Sequence, residues 1–385
     1  MDESATMTSR NESRVGADQH KFRVAYVNVH NSDYPRNRLI REELARKGGY
    51  SVSISQKLES RYFASKTLVN YLRIFGTTKN SDVIVLSEFS LRYAPFTWLL
   101  SRFGGAVHVV DGFVRLYESR VEDASEASPR SWKAFAYRAI DRLSVICSDM
   151  YLVDTKMRAA RIAAGSRGSN TVVSLPVGAP SWARSISPAT KSAPVKFLYY
   201  GNYIHLHGVD VIVKAFSHIR DDCEATLTLV GEGSLRREIE ILVQDLGLGD
   251  RCVFVDPVPE SSLRDIIAAH DVVLGIFGTS SKAGSVIANK VWQGLACGRL
   301  VITRESPALG EISPIIGSQL MTTPEGDDVH LAGIMRTIIQ QDLYTSDFSK
   351  TSEKLQDYVQ AEFRPFLEEL TERVKAHRQA PRRRR

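Results

Sequence analysis

Residues 274–312 read LGIFGTSSKAGSVIANKVWQGLACGRLVITRESPALGEI. The apolar run VVLGIF (272–277) has the character of a buried strand, and a loop rich in glycine and serine follows it. A helix then begins near Asn289, carries Val291, Leu295 and Ala296, and stops at Gly298, before LVIT (300–303) resumes as a strand. Strand, loop, helix and strand in that order form a βαβ unit, which puts the helix N-terminus at the carboxyl end of a parallel strand. The first amides of such a helix have no intrahelical partners and sit at the positive end of its dipole. Asn289 and Lys290 therefore stand where a phosphate would be held, with Lys282 in the loop as a second cation.

The same punctuation extends in both directions. VKFLYYG (195–201), TLTLVG (226–231) and CVFVD (252–256) precede this unit and QLMTT (319–323) follows it. A separate series fills the N-terminal half: FRVAYVNV (22–29), YSVSI (50–54), DVIVLS (82–87), VHVVD (107–111), MYLVDT (150–155) and TVVSLP (171–176). Continuously apolar strands are covered on both faces, which crossover helices achieve in parallel sheets. Between the two series, residues 178–194 hold three prolines and four serines with little periodicity, and read as a linker. The fold class expected is α/β, with two doubly wound, Rossmann-like domains facing a cleft. The division expected is a disordered leader (1–19), an N-terminal domain (20–185), a C-terminal domain (186–340), helices that return to the first domain (341–376) and a basic tail (377–385).

A chain of 385 residues with 43% hydrophobic and 24% charged content is ordinary for globular protein, which excludes wholesale disorder, collagen and disulfide scaffolds. The formal charge of +6 is more than accounted for by the seven basic residues within 373–385, where no acidic residue occurs. The body is thus close to neutral and a nucleic-acid partner is not expected. Four widely spaced cysteines form no CxxC pair and read as reduced core thiols. The N-terminus lacks an apolar signal core and no run is long enough to span a bilayer, so a cytoplasmic location is expected. The terminal arginines Arg382, Arg383, Arg384 and Arg385 read either as a solvated end or as a peripheral contact with anionic lipid on the inner membrane face.

Other candidates lie at strand ends. Gly231-Glu232-Gly233 is half of a dinucleotide fingerprint, but Leu235-Arg236 breaks the remainder, so a dehydrogenase is not expected. His205 and His207 are two apart without a third clustered ligand, and no metal site is expected. Asp111, followed by Gly112, ends VHVVD; it serves either as a catalytic carboxylate or as a cap on the following turn. Asp154-Thr155 reads as a cap on the helix from Lys156. Asn28 and His30, at the end of the first strand, together with Arg115 and Tyr117, are candidates for meeting an acceptor or a phosphate.

Asn289-Lys290, Gln293, Leu295-Ala296-Cys297-Gly298, Val301-Ile302-Thr303 and Glu311 together resemble the nucleotide-sugar segment of GT-B glycosyltransferases. The group resembled is the large retaining one of family-four type, which includes bacterial mannosyl and glucosyl transferases of polysaccharide assembly. The resemblance covers most of 195–327. It implies the GT-B fold and hexosyl transfer, with retention, from a nucleotide-diphosphate sugar to a glycan or lipid-linked acceptor in bacterial polysaccharide or glycoconjugate biosynthesis. The nucleotide sugar would be a co-substrate, with no further cofactor. By the same resemblance, Ala288, Asn289 and Lys290 hold the diphosphate and Gln293 replaces a ribose-binding Glu. Ser285 stands where the family's first acidic residue stands, and Asn202 and His207 replace an Arg and Lys pair. Diphosphate charge is then left to Lys282, Lys290, the helix amides and a protonated His207. Gly201, Tyr203 and Gly208 belong to a loop expected to approach the donor closely, Gly231, Glu232 and Gly233 to its base and ribose pocket, and Asp111 to the reacting carbon. A non-catalytic GT-B binding subunit, or a GT-B epimerase or phosphorylase, are the alternatives.

Overall fold

The computed structural model describes residues 22–46, 49–58, 63–124, 126–165, 170–191 and 193–379. The leader expected over 1–19 and the arginines at 382–385 lie outside the described residues. In the first lobe the elements run β1 (Phe22–Val29), α1 (Pro35–Arg46), β2 (Tyr50–Gln56), α2 (Phe63–Thr78), β3 (Val83–Leu86), α3 (Ala94–Gly104), β4 (Val107–Asp111), α4 (Trp132–Ile146), β5 (Met150–Val153), α5 (Lys156–Gly165) and β6 (Thr171–Ser174). The second continues with β7 (Val195–Tyr200), α6 (Val209–Ser217), β8 (Ala225–Val230), α7 (Arg236–Asp245), β9 (Cys252–Val255), α8 (Leu263–Ala268), β10 (Val272–Leu274), α9 (Asn289–Ala296), β11 (Leu300–Arg304), α10 (Ser313–Ile316), β12 (Leu320–Thr323) and α11 (Asp328–Gln340). A last helix, α12 (Thr351–Gln379), closes the described chain.

The strands build two six-stranded sheets, ordered β2-β1-β3-β4-β5-β6 and β12-β11-β10-β7-β8-β9, and every pairing is parallel. Period-two alternation explains why the strands are apolar throughout. Val24 and Tyr26 of β1 face one core while Ala25 and Val27 face another. Phe197 and Tyr199 of β7 likewise face away from Leu198 and Tyr200. In the first sheet the chain order reverses at β1, which has β2 on one side and β3 on the other; in the second it reverses at β7, between β8 and β10. Loops leaving such neighbouring strands diverge to opposite faces, so each sheet opens a crevice beyond the carboxyl ends of these two strands.

Two expectations are corrected. The strand read as reaching Phe277 ends at Leu274; just beyond it the Ile276 amide donates at 3.2 Å to the Thr303 hydroxyl, a side chain, in place of a strand carbonyl. The terminal region is one 29-residue helix, with Pro365 inside it, running past residue 376 to Gln379. Helix α12 begins against α9 and α10, where Tyr358 stacks on buried Trp292 at 6.3 Å, and it ends on the first sheet. There Thr371 and Tyr50 share a hydrogen bond of 2.9 Å and Arg378 binds Asp82.

Candidate active site between the two lobes

The crevice of the second sheet is built from the loops after β7 and β10. Ala288, extended at φ −64° and ψ 148°, introduces α9 and no side chain caps it, so the first amides of the helix point outward from its start. Lys290 is 5% exposed and its Nζ has no hydrogen-bond partner among the described residues; it lies 4.2 Å from the ring centroid of Tyr199, against Gly201 and His207. Burial pushes this ammonium down to about 7. The imidazole of His207 contacts the Asn202 carbonyl oxygen and, at 2.8 Å, Tyr199 Oη. Burial, with Lys290 and Lys282 nearby, holds its pKa well below the usual range. His207 is therefore neutral at pH 7, and the protonated imidazole expected from the sequence is corrected.

The glycines prove to serve loop against loop. A Cβ on Gly208 would sit 2.5 Å from the Phe277 carbonyl carbon, and one on Gly233 2.5 Å from the Tyr203 amide nitrogen. On Gly231, at φ +127°, it would lie 2.1 Å from the Gly201 carbonyl oxygen. The space a side chain lacks is thus filled by backbone of the neighbouring turn. Gly231→Ala combines strain with a clash against main chain and is expected to cost about 2 kcal/mol, read as a lowered denaturant midpoint.

Other expected donor contacts are turned inward. Three residues apart on α9, Lys290 reaches the Tyr199 ring and Gln293 reaches Tyr200, whose Oη donates to Gln293 Oε1 at 2.8 Å. Its ribose role does not fit this placement. Tyr203 is fully buried and donates to the Leu229 carbonyl, while its amide binds Glu232, itself exposed on the turn. Ser285 donates to the Lys282 carbonyl. Glu311 accepts from the Lys156 amide at 2.7 Å and from Tyr358, holding α5 and α12.

At the first sheet, the loops after β1 and β3 meet. Asn28, buried and left-handed at φ 58°, donates to Ser90 Oγ at 2.8 Å, and its Oδ1 has no partner among the described residues. Phe89 is also left-handed, at φ 59°, and its ring meets that of exposed His30 at 6.1 Å. Glu88, next to Phe89 in this loop, is 1% exposed: Oε1 accepts from Asn37 at 2.8 Å and Oε2 has no partner among the described residues. Burial, then the charge of Asp111, push its carboxyl up to about 7. Asp111 is itself fully buried; both carboxylate oxygens accept from Arg36 Nε at 2.8 and 2.9 Å, and the Phe113 amide donates to it. Of the two roles expected of Asp111, the structure shows the cap on the following turn; its carboxylate is taken up by Arg36 from α1 and the Phe113 amide rather than left free for catalysis. Arg115 is spent on Glu118 and lies 4.0 Å from Asp141.

The two crevices face each other. Tyr34, in the loop after β1, lies close to the side chain of Asn289 at the head of α9. Around this contact, Lys282 Nζ donates to Ser119 Oγ at 2.9 Å, and so bridges the lobes instead of standing free for a phosphate. Ser280 donates to Asp123 at 3.2 Å, and Thr155, which caps α5 through the Arg158 amide, donates to the Ser285 carbonyl at 2.9 Å. Arg38 and Trp182 both bind Glu260 on a further part of the seam. Ser119 and Asp123 belong to a π-helical turn, 118–123, an element common at functional sites. Neither was expected from sequence, nor were Tyr34 and Glu88. Glu88 does follow an apolar strand directly, but nothing local marks that strand as bordering the crevice.

Residues 194–341 match the protein family described as glycosyl transferases group 1. Among solved structures, the chain superposes on HepE of Anabaena, in complex with UDP and glucose, with a TM-score of 0.68 at 12% identity over 91% of this chain and 100% of that one. Sucrose-phosphate synthase of Thermosynechococcus elongatus gives a TM-score of 0.68 at 16% identity over 94% and 100%. A lipopolysaccharide outer core galactosyltransferase, WaaB, gives 0.59 at 12% identity over 90% and 99%. The architecture is that of the GT-B fold. No curated protein matches the sequence significantly.

Proposed function

We propose that this chain is a glycosyltransferase that moves a hexosyl group from a nucleoside-diphosphate sugar to a hydroxyl of a glycan or lipid-linked acceptor, in bacterial polysaccharide or glycoconjugate assembly. The observation that carries the reading is the meeting of two switch-point crevices where Lys282 and Ser280 reach Ser119 and Asp123, one with a buried ammonium at a helix start and the other with the buried carboxylate of Glu88. The family match over 194–341 supports sugar transfer, and the HepE complex makes uridine a nucleotide to try first.

In this reading the α9 amides and Lys290 receive the diphosphate, whose charge keeps the ammonium protonated. The acceptor oxygen bonds to the anomeric carbon as the bond from that carbon to the phosphate oxygen breaks. The nucleoside diphosphate leaves with the electron pair, and the acceptor proton passes to Glu88. Asp111 acts through its neighbours: it fixes Arg36 and raises the proton affinity of Glu88. Substrate entry parts the Lys282–Ser119 and Ser280–Asp123 contacts, and closure brings the two crevices back together.

The test is a survey of nucleotide sugars by thermal shift, followed by assay of nucleoside-diphosphate release with and without acceptor. Release that requires an acceptor, with the transferred sugar mass found on it, is the expected result. An absence of calorimetric heat with every nucleoside diphosphate would overturn the reading in favour of a non-catalytic GT-B subunit.

A further inference from the structure

Helices α2, α3 and α4 lie side by side on one face of the first sheet, packing Ile74, Ala94 and Val145 against it. Their other side is unusual for protein in contact with water. Leu72 and Phe75 on α2 and Leu99 on α3 are exposed, and Phe103, Trp132 and Phe135 are 73%, 76% and 74% exposed. Scattered apolar residues are common on protein surfaces, but here three neighbouring helices each contribute an outward stripe at helical spacing.

The charges on the same helices point one way. Their sequences contain a single carboxylate, Asp141, and it is turned inward, accepting the amides of Leu116 and Tyr117. Arg73, Lys133 and Arg142 are exposed, and Lys79 lies over the Phe75 ring at 5.1 Å. No helix of the described residues is long and apolar enough to cross a membrane. Exposed aromatic rings beside cations, with no outward carboxylate, match the boundary between lipid headgroups and acyl chains, where rings enter the apolar layer and cations meet phosphates. We propose that the outer face of α2, α3 and α4 docks on an anionic membrane surface, holding the first lobe against the bilayer.

The full chain is sedimented with vesicles of phosphatidylcholine alone and with vesicles containing roughly one third phosphatidylglycerol. Binding to the anionic vesicles, weakening as salt is raised, is expected. The variant Phe103→Ser/Trp132→Ser/Phe135→Ser is expected to partition about tenfold less or lower. Arg73→Glu/Lys133→Glu/Arg142→Glu is expected to lose the preference for anionic lipid, and a chain ending at Ala380 to keep binding. Unchanged unfolding midpoints show that the variants fold. The proposal is overturned if the serine variant binds as the parent does, or if removal of the tail alone abolishes binding. It is equally overturned if the parent ignores both vesicles and instead self-associates through this face in sedimentation equilibrium. No nucleotide enters the measurement, so its outcome is separate from that of the transferase reading.

Discussion

Lys290→Met weakens nucleoside-diphosphate binding by about 1000-fold, the scale of losing a buried charge-assisted contact. In the structure its Nζ is enclosed by Tyr199, Gly201 and His207 with no acceptor to satisfy it, so a diphosphate would supply its first strong partner. The same feature links affinity to pH. Because burial lowers the unliganded ammonium to about 7 and the complex needs it charged, binding above that pH takes up a proton, and affinity falls about tenfold per pH unit. Methionine fills similar volume without a charge, and its effect on stability has a defined sign. Between about pH 7 and the ordinary lysine value of 10.5, the unfolded parent holds a proton that the folded parent does not, so parent stability rises with pH in that window. Lys290→Met is therefore more stable than the parent by several kcal/mol, roughly, at and below pH 7, an advantage that vanishes towards pH 10.5. Calorimetric titration and denaturant unfolding across pH check the two halves. Equal affinity in variant and parent would remove the anion site from Lys290.

Glu88→Gln lowers kcat by about 100-fold while leaving the donor KM within about twofold, as loss of a proton acceptor does. The amide keeps the shape and the hydrogen-bonding reach toward Asn37, so a purely structural role would leave turnover near that of the parent. Parent turnover rises through about pH 7 as Glu88 loses its proton, and the variant lacks that rise. Stability offers an independent readout. A carboxyl raised from 4.5 to about 7 binds its proton more tightly folded than unfolded, so its contribution is present at low pH and fades as pH rises through 7. Glu88→Gln flattens that fade. A variant with parental kcat and pH profile would return Glu88 to a structural part.

The βαβ reading of residues 274–312 placed the start of α9 correctly at Asn289, and its stop is seen in Gly298 at φ +76°. Both signals are local: the uncapped first turn and the left-handed glycine act within a few residues. The site was less readable. Asp111 ends a strand, as a catalytic carboxylate often does, but Arg36, 75 residues earlier in the chain, covers it. Lys282 looked like a free cation beside the helix, and its partner Ser119 lies 163 residues away on the other lobe.

Apolar runs without alternation, spaced by helical segments, were enough to specify two parallel sheets, because burial on both faces leaves no other arrangement for them. The order of strands within each sheet is a different matter, since it is set by how the crossover helices pack and not by any one segment. That order alone put the ends of β1 and β3 at one crevice and those of β7 and β10 at the other. Tyr34 and Glu88 consequently came to lie on the loops of the first crevice while Gln293 met Tyr200 and Tyr203 met the Leu229 carbonyl: side-chain periodicity tells which residues are buried, and only the packed chain tells what lies opposite them.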